Sequence, residues 1–417
     1  MSNSIHTGGL NNTPSGDRVH IGIFGRRNAG KSSVINAMTG QSLSIVSDVK
    51  GTTTDPVQKA MELLPLGPVV MIDTPGIDDE GELGSLRVQK SYQVLNKTDI
   101  AVLVIDGMAG FSEEDASLER KCKEKKIPYI AVANKLDEIR EKDGEPPAMH
   151  TAAGEPIFWV SSSTGENIAV LKEKITALVP EQKPEYPIVS DLLKPGDFVV
   201  LVVPIDKAAP KGRLILPQQQ TIRDILEAGA ISVVTQDDRV AETISSLKKG
   251  KSPRLVITDS QAFARVSRDT PKEMELTSFS ILFARHKGNL EELIRGVKAL
   301  DALQDEDTVL ISEGCTHHRQ CGDIGTVKLP TWVSKYTGKK LRFAYTSGTE
   351  FPVDLSPYSM VIHCGGCMLN EREMKYRIQC AADQGVPIAN YGLVIAQTQG
   401  ILKRSLEPFP QVSALLE

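Results

Sequence analysis

One stretch, HIGIFGRRNAGKSSVINAMTG at residues 20–40, limits what this chain can fold into more than any other. An apolar run leads into G-x-x-x-x-G-K-S, and a helical pattern follows at once. A loop of this kind cradles phosphate only in that setting. The strand delivers it, the glycines let successive N–H groups close on the anion, and the helix N-terminus adds the positive end of its dipole. The front of the chain should therefore be a parallel α/β domain. Within the loop, Lys31 supplies a positive charge at the β- and γ-phosphates and Ser32 a ligand for Mg²⁺. Asn28, Ala29, Gly30 and Ser33 complete the cradle.

The motifs that follow name the nucleotide. GTTTDP (51–56) offers threonines to Mg²⁺ and the γ-phosphate, and Thr53, two residues after the glycine, is the expected one. In DTPG (73–76), Asp73 can hold a Mg²⁺-bound water and Gly76 can offer its N–H to the γ-phosphate. NKLD (134–137) brings Asn134, Lys135 and Asp137. The Asp137 carboxylate can accept two N–H groups from guanine, which adenine does not present. SSS (161–163) would close over the base, with Ser161 and Ser162 nearest. These motifs stand in the order of a GTPase that binds GTP and Mg²⁺, with Lys31, Thr53, Asp73 and Gly76 as its catalytic set.

Each motif ends a predicted strand: 20–25, 69–73, 100–107, 129–135 and 157–163. The 417 residues leave room for about two to four domains. The expected division is a polar lead-in without fixed structure at 1–17, a nucleotide domain at 18–178, a Pro-rich linker at 178–187, a small α/β unit at 188–270 and a third α/β segment at 271–417. The small unit shows no catalytic constellation, and its excess of apolar residues points to protein–protein contact. In the third segment 279–288, 307–314, 341–348, 359–366 and 387–392 read as strands, and 369–385 as a helix. The polar N-terminus lacks the apolar core of a secretory signal, and no run of about 18 apolar residues occurs, so a cytoplasmic, non-membrane protein is expected. A formal charge of -5 argues against nucleic acid as partner.

The cysteines are unevenly placed. Cys122 is alone in the nucleotide domain, while Cys315, Cys321, Cys364, Cys367 and Cys380 fall in the last quarter. Two clusters stand out: Cys315-Thr-His317-His318 after one strand and His363-Cys364-Gly-Gly-Cys367 after another. In a parallel sheet both lie at carboxyl ends of strands, where open α/β sheets bind ligands. Gly365 and Gly366 let Cys364 and Cys367 reach one centre. The N–H groups of the helix that follows would favour thiolates. The spacing admits two metals: structural zinc on Cys315, Cys364, Cys367 and one histidine, or an iron–sulfur cluster on three cysteines and another ligand.

Two resemblances extend this reading. The position after D-x-x-G, a glutamine in Ras-like proteins, is Ile77 here. In this the chain resembles the TrmE/Era class of GTPases. That resemblance implies K⁺ bound by Asn28, three residues before Lys31, and K⁺-stimulated hydrolysis. Shaping of the loop is the plainer role for Asn28. GTPase motifs followed by C-x-H and, 45 residues on, by H-C-x-x-C resemble the HydF family of [FeFe]-hydrogenase maturation GTPases, over all three segments. The resemblance implies a [4Fe-4S] cluster on Cys315, Cys364 and Cys367, with His317 and His363 as candidate further ligands and Cys321 as an alternative. It also implies a homodimer through the middle domain, a transient diiron subcluster received with HydE and HydG, and delivery to apo-hydrogenase HydA. The alternative is a TrmE/Era-like GTPase acting on RNA, with a structural zinc.

Overall fold

The computed structural model describes residues 15–40, 56–77, 88, 90–179, 186–205, 214–247, 250–314, 323–348 and 350–416. The chain divides into two compact units, Met1–Gln182 and Lys183–Glu417. At the end of the expected lead-in, Ser15–Asp17 form a short 3-10 turn.

The first unit is built on a six-stranded sheet in the order β2-β3-β1-β4-β5-β6. Its strands are β1 (Val19–Phe24), β2 (Val57–Leu63), β3 (Gly67–Asp73), β4 (Ile100–Asp106), β5 (Tyr129–Asn134) and β6 (Phe158–Trp159). All pair in parallel except β2, which runs antiparallel along the edge beside β3. Successive side chains of a strand point to opposite faces, and here both faces are covered. Ile100, Val102 and Val104 of β4 enter one core with Val34, Ile35 and Met38 of the helix Lys31–Thr39. Ala101, Leu103 and Ile105 enter the other, with Leu118 and Cys122 of the helix Glu113–Glu124. Burial pushes the Cys122 thiol up to about 12, which leaves it an inert core residue. The predicted strands are present, the last of them shortened to Phe158–Trp159. The β2 strand has no predicted counterpart, because its solvent-facing run of Gln58, Lys59 and Ala60 breaks the apolar signal.

The second unit holds two all-parallel four-stranded sheets. The first has the order β10-β9-β7-β8, from β7 (Phe198–Val202), β8 (Ile231–Thr235), β9 (Leu255–Thr258) and β10 (Glu275–Ser278). The second has the order β12-β11-β13-β14, from β11 (Thr308–Glu313), β12 (Arg342–Ser347), β13 (Met360–His363) and β14 (Ile388–Asn390). One continuous core runs from Ile188 to Phe409 through both sheets. The expected boundary at 270 falls just before β10, the strand that completes the first of them.

One expected strand is a helix. Phe279–Lys287 is α-helical, and the Ser278 hydroxyl caps it by accepting from the Ile281 N–H at 3.2 Å. Phe279, Ile281, Leu282, Phe283 and Ala284 are all buried. A helix covered on every side carries no 3.6-residue polar stripe, and a short apolar run of that kind cannot be told from a buried strand. The helix predicted after Cys367 is present as Glu371–Asp383.

Candidate functional site

Four loops meet at the carboxyl edge of the six-stranded sheet. In the phosphate loop Asn28 and Gly30 adopt left-handed backbone, with φ of 61° and 88°. Gly30 has a second reason to lack a side chain: a Cβ there would sit 2.2 Å from the Asn134 amide nitrogen. That approach is functional, since Asn134 Nδ2 donates to the Ala29 carbonyl at 3.2 Å and Asn134 Oδ1 accepts from the Ser162 N–H at 3.0 Å. One buried amide thus ties the phosphate loop, NKLD and SSS together. Lys135 reaches the other way and pairs with Asp106 at 2.7 Å. Burial would raise the Asp106 carboxyl, but the Lys135 ammonium and neighbouring N–H groups hold it below its usual value.

Asp137 accepts from the Ser161 hydroxyl at 2.7 Å and the Ser163 hydroxyl at 2.9 Å. The Ser161 bond is the main cause that keeps its carboxyl below the usual carboxylate range. A carboxylate held ionised in this way suits acceptance of two N–H groups from a base. At the phosphate end, Lys31 Nζ donates to the Gly25 and Arg26 carbonyls at 3.0 and 2.8 Å. Ser32 Oγ donates to Asp73 Oδ2 at 2.6 Å, while Asp73 Oδ1 is buried without a partner. Burial raises the Asp73 carboxyl, against the opposing pull of Ser32 and Lys31. A hydroxyl and an incompletely satisfied buried carboxylate, side by side at a phosphate loop, fit Mg²⁺ and its bound water. Ile77 is buried in the core beneath, so its position offers no polar group to a water. Thr53 lies outside the described residues.

The second set of predicted residues sits at the ends of β11 and β13. The Cys364 sulfur accepts the Gly314 N–H at 3.0 Å and the Gly366 N–H at 3.4 Å. Gly314 immediately precedes Cys315 in the sequence. The Cys364 N–H in turn donates to the Ser312 carbonyl of β11 at 2.9 Å. Gly366 has a φ of 62°, and a Cβ on it would meet Met374 Sδ at 2.4 Å, whereas the space around Gly365 is open. The turn therefore requires glycine at 366 and not at 365. Burial pushes the Cys367 thiol up, and the charge of Cys364 adds to this. Lys287 and the N–H groups of Cys367 and Met368 pull it down. Backbone N–H groups aimed at sulfur suit anionic, metal-bound thiolates. They come from the loops. The helix Glu371–Asp383 has its own cap, with Asn370 Oδ1 accepting the Glu373 N–H at 3.0 Å.

Family comparisons divide the chain at similar points. The model described as hydrogen maturase F dimerization domain matches residues 188–288, and that described as hydrogen maturase F tetramerization domain matches 291–408. A third, described as 50S ribosome-binding GTPase, matches 20–135. The two maturase-specific matches together span more than half of the chain. The chain belongs to the hydrogen maturase F family. Its nucleotide domain is also similar to curated GTPases. GTPase Der of Wolinella succinogenes is 36% identical over 38% of this chain and 35% of its own length. GTPase Era of Halothermothrix orenii is 32% identical over 40% and 58%. The tRNA modification GTPase MnmE of Nitrosomonas europaea is 29% identical over 37% and 33%. The chain thus spans between a third and three-fifths of these relatives. A solved structure of Aquifex aeolicus Era bound to GDP and AlF4- aligns with 52% of this chain and 92% of its own, at 22% identity. Its TM-score is 0.31. No helix among the described residues is long and apolar enough to cross a membrane.

Within the hydrogen maturase F frame, the structure brings together Asn28, Ala29, Gly30, Lys31, Ser32, Ser33, Asp73, Gly76, Asn134, Lys135, Asp137, Ser161 and Ser162 on one edge of one sheet. It brings Cys364 and Cys367 to another, beside the residue that precedes Cys315. Cys315, His317 and Cys321 lie outside the described residues. Cys380 is a half-buried thiol on the helix Glu371–Asp383. Three residues of the cysteine region have no signal in the sequence. Lys287 is buried and donates to the Leu369 carbonyl at 3.3 Å. Arg377 and Glu373 are buried as a pair four residues apart, a spacing that reads as an ordinary surface ion pair.

Proposed function

We propose that this chain is a hydrogenase-maturation GTPase that carries an iron–sulfur cluster. In this reading Cys315, Cys364 and Cys367 hold a [4Fe-4S] cluster, and the chain is scaffold and carrier for the diiron subcluster. HydE and HydG help to load it, and apo-hydrogenase HydA receives it. The observation that carries the reading is the Gly314 N–H on the Cys364 sulfur. It places the residue next to Cys315 against H-C-x-x-C, within the region matched by a maturase-specific domain. When bound, the cluster would supply an iron site not saturated by cysteine. The residues present would hold it, with the Gly314 and Gly366 N–H groups directed at the Cys364 sulfur.

The nucleotide domain hydrolyses GTP in this reading. Lys31 and the loop N–H groups take the phosphates, Ser32, Asp73 and Thr53 hold Mg²⁺, and Gly76 donates to the γ-phosphate. Asp137, Asn134, Lys135, Ser161 and Ser162 select guanine. With Ile77 where a water-orienting side chain would stand, hydrolysis is slow unless a cation assists. Asn28 is the K⁺ ligand we assign. Equal hydrolysis rates of the wild-type chain in K⁺ and Na⁺ would remove that assignment. Residues 188–288 form the homodimer contact, consistent with the dimerization domain matched there. The working compartment is the cytoplasm.

The nucleotide state gates partner exchange rather than metal chemistry, because the two sets of residues belong to separate compact units. A maturation assay with Lys31→Ala tests this. The expected result is loss of hydrogenase activation at unchanged iron content. Full activation without GTP hydrolysis would overturn it. The alternative, an RNA-acting GTPase with structural zinc, draws only on the nucleotide domain's relatives and leaves the matched maturase domains without a role.

A further inference from the structure

The residue before Cys364 is itself held by a network that no motif announces. His363 is fully buried, and both its ring nitrogens are engaged. Nδ1 lies 2.6 Å from the Cys364 carbonyl, and Nε2 lies 3.0 Å from Arg377 Nη1. A guanidinium only donates, and a carbonyl only accepts. The ring is therefore neutral, with its proton on Nδ1 directed at the Cys364 carbonyl and the Nε2 lone pair directed at Arg377. Neither nitrogen is left to bind a metal.

Arg377 is also fully buried, and it joins three segments. Nε and Nη2 meet Glu373 Oε1 at 2.8 Å within the helix Glu371–Asp383. Nη2 donates to the Gly348 carbonyl at 2.8 Å, just beyond the end of β12. Nη1 reaches His363 at the end of β13, and the guanidinium lies over the Phe351 ring at 5.2 Å from its centroid. Its charge is matched by Glu373, which is what allows an arginine to stay buried.

We infer that Arg377 is a positioning residue for the metal site. Through His363 it fixes the Cys364 carbonyl and the glycine turn, and it keeps His363 out of the ligand set. This rests on the cluster reading above, but only in part, since the tautomer is a property of the metal-free chain. The consequence for the H-C-x-x-C pattern is specific: its histidine is a strut, and the cluster's ligands from this loop are Cys364 and Cys367 alone.

The test uses the full chain in three forms besides wild type. Arg377→Met removes the guanidinium. Arg377→Met with Glu373→Gln does so without leaving a buried carboxylate unpaired, and guards against misfolding. His363→Gln keeps an acceptor for Arg377 but removes the imidazole. Nitrogen NMR of histidine-labelled, metal-free protein should show the His363 ring, assigned by its absence from His363→Gln, fixed with Nδ1 protonated. In both Arg377 variants that signal should move to a mixture of tautomers. After anaerobic reconstitution, the Arg377 variants should hold less than half the wild-type iron, with a broadened EPR signal in the reduced state. His363→Gln, which loses the Nδ1–H on the Cys364 carbonyl, should likewise hold less iron than wild type, but without loss of a nitrogen ligand from the EPR signal. An unchanged tautomer and an unchanged EPR signal in folded Arg377 variants would overturn the inference. So would a His363→Gln protein whose EPR signal shows a lost nitrogen ligand. A wild-type chain that takes up no iron, but whose histidine signal responds to Arg377, would defeat the cluster reading and leave the strut standing.

Discussion

At the carboxyl edge of the six-stranded sheet, polar side chains tie loop to loop. Asn134 bonds to both the phosphate loop and the serine loop, and Asp137 bonds to Ser161 and Ser163. At the carboxyl ends of β11 and β13 the ties are of another kind. Backbone N–H groups meet a sulfur, and a buried arginine braces a histidine from behind. The first arrangement presents ionised or polar groups to a ligand that arrives and leaves. The second shields sulfur and surrounds it with partial positive charge, which suits a centre that stays bound. On the proposed function the first is an exchange site and the second a holding site, and a variant of one should spare the other.

The largest effect expected is the loss of metal without loss of nucleotide turnover. Cys364→Ala should abolish iron binding and leave GTP hydrolysis within about twofold, by iron analysis and phosphate release. Iron unchanged in that variant would mean that the holding site is elsewhere. The converse variant, Lys31→Ala, should lower hydrolysis by roughly 10²–10³-fold, the usual scale for removing one charge-stabilising group at a reacting centre. Its iron content should match wild type. A fall in both measurements from either variant would erase the proposed separation.

A smaller effect tests the turn. Gly366→Ala must place a side chain at a φ of 62°, a strain of about 1–2 kcal/mol. For a unit of this size that lowers the unfolding temperature by about 2–8 °C. Gly365→Ala meets open space and should melt like wild type. Equal melting of the two variants would show that the turn does not need its left-handed residue.

The smallest effect divides the exchange site within itself. Burial raises Asp73 above its ordinary 3.8, while the serine hydroxyls hold Asp137 below it. As pH falls, Asp73 takes up its proton first. Mg²⁺-dependent tightening of GTP binding should therefore fade at a higher pH than preference for guanine over adenine, by titration of labelled nucleotides. The same raised value means the folded chain holds that proton more firmly than the unfolded one. The contribution of Asp73 to stability thus declines as pH rises from 3.8 through its folded value, and is level at neutral pH. Loss of guanine preference before the Mg²⁺ effect would contradict these assignments.

Legibility in the sequence followed chain continuity. Lys31, Asp73, Asn134 and Asp137 lie in short motifs that directly follow strands, so the strand pattern and the chemistry reinforce each other. Phe279–Lys287 was legible as apolar but not as helix, because burial on all sides removes the periodicity that separates the two. The division of 188–417 into separate segments hid a single core, since packing across two sheets leaves no mark in local pattern. In the cysteine region the thiols were visible as a cluster. Arg377 and Glu373 were not, because an i, i+4 pair looks the same in sequence whether it faces water or sits at the centre of a fold. His363 was visible in H-C-x-x-C as a candidate ligand, without the partners that engage its ring. Its role came from what surrounds both of its nitrogens.

The proposed iron–sulfur cluster on Cys315, Cys364 and Cys367 underlies the separation of the two sites. Iron, zinc and acid-labile sulfide analysis of the anaerobically purified chain, with EPR after reduction, tests it most directly. About four iron and four sulfide per chain are expected, with a reduced-cluster signal that vanishes in Cys364→Ala. A colourless protein with one zinc per chain and no sulfide would contradict it.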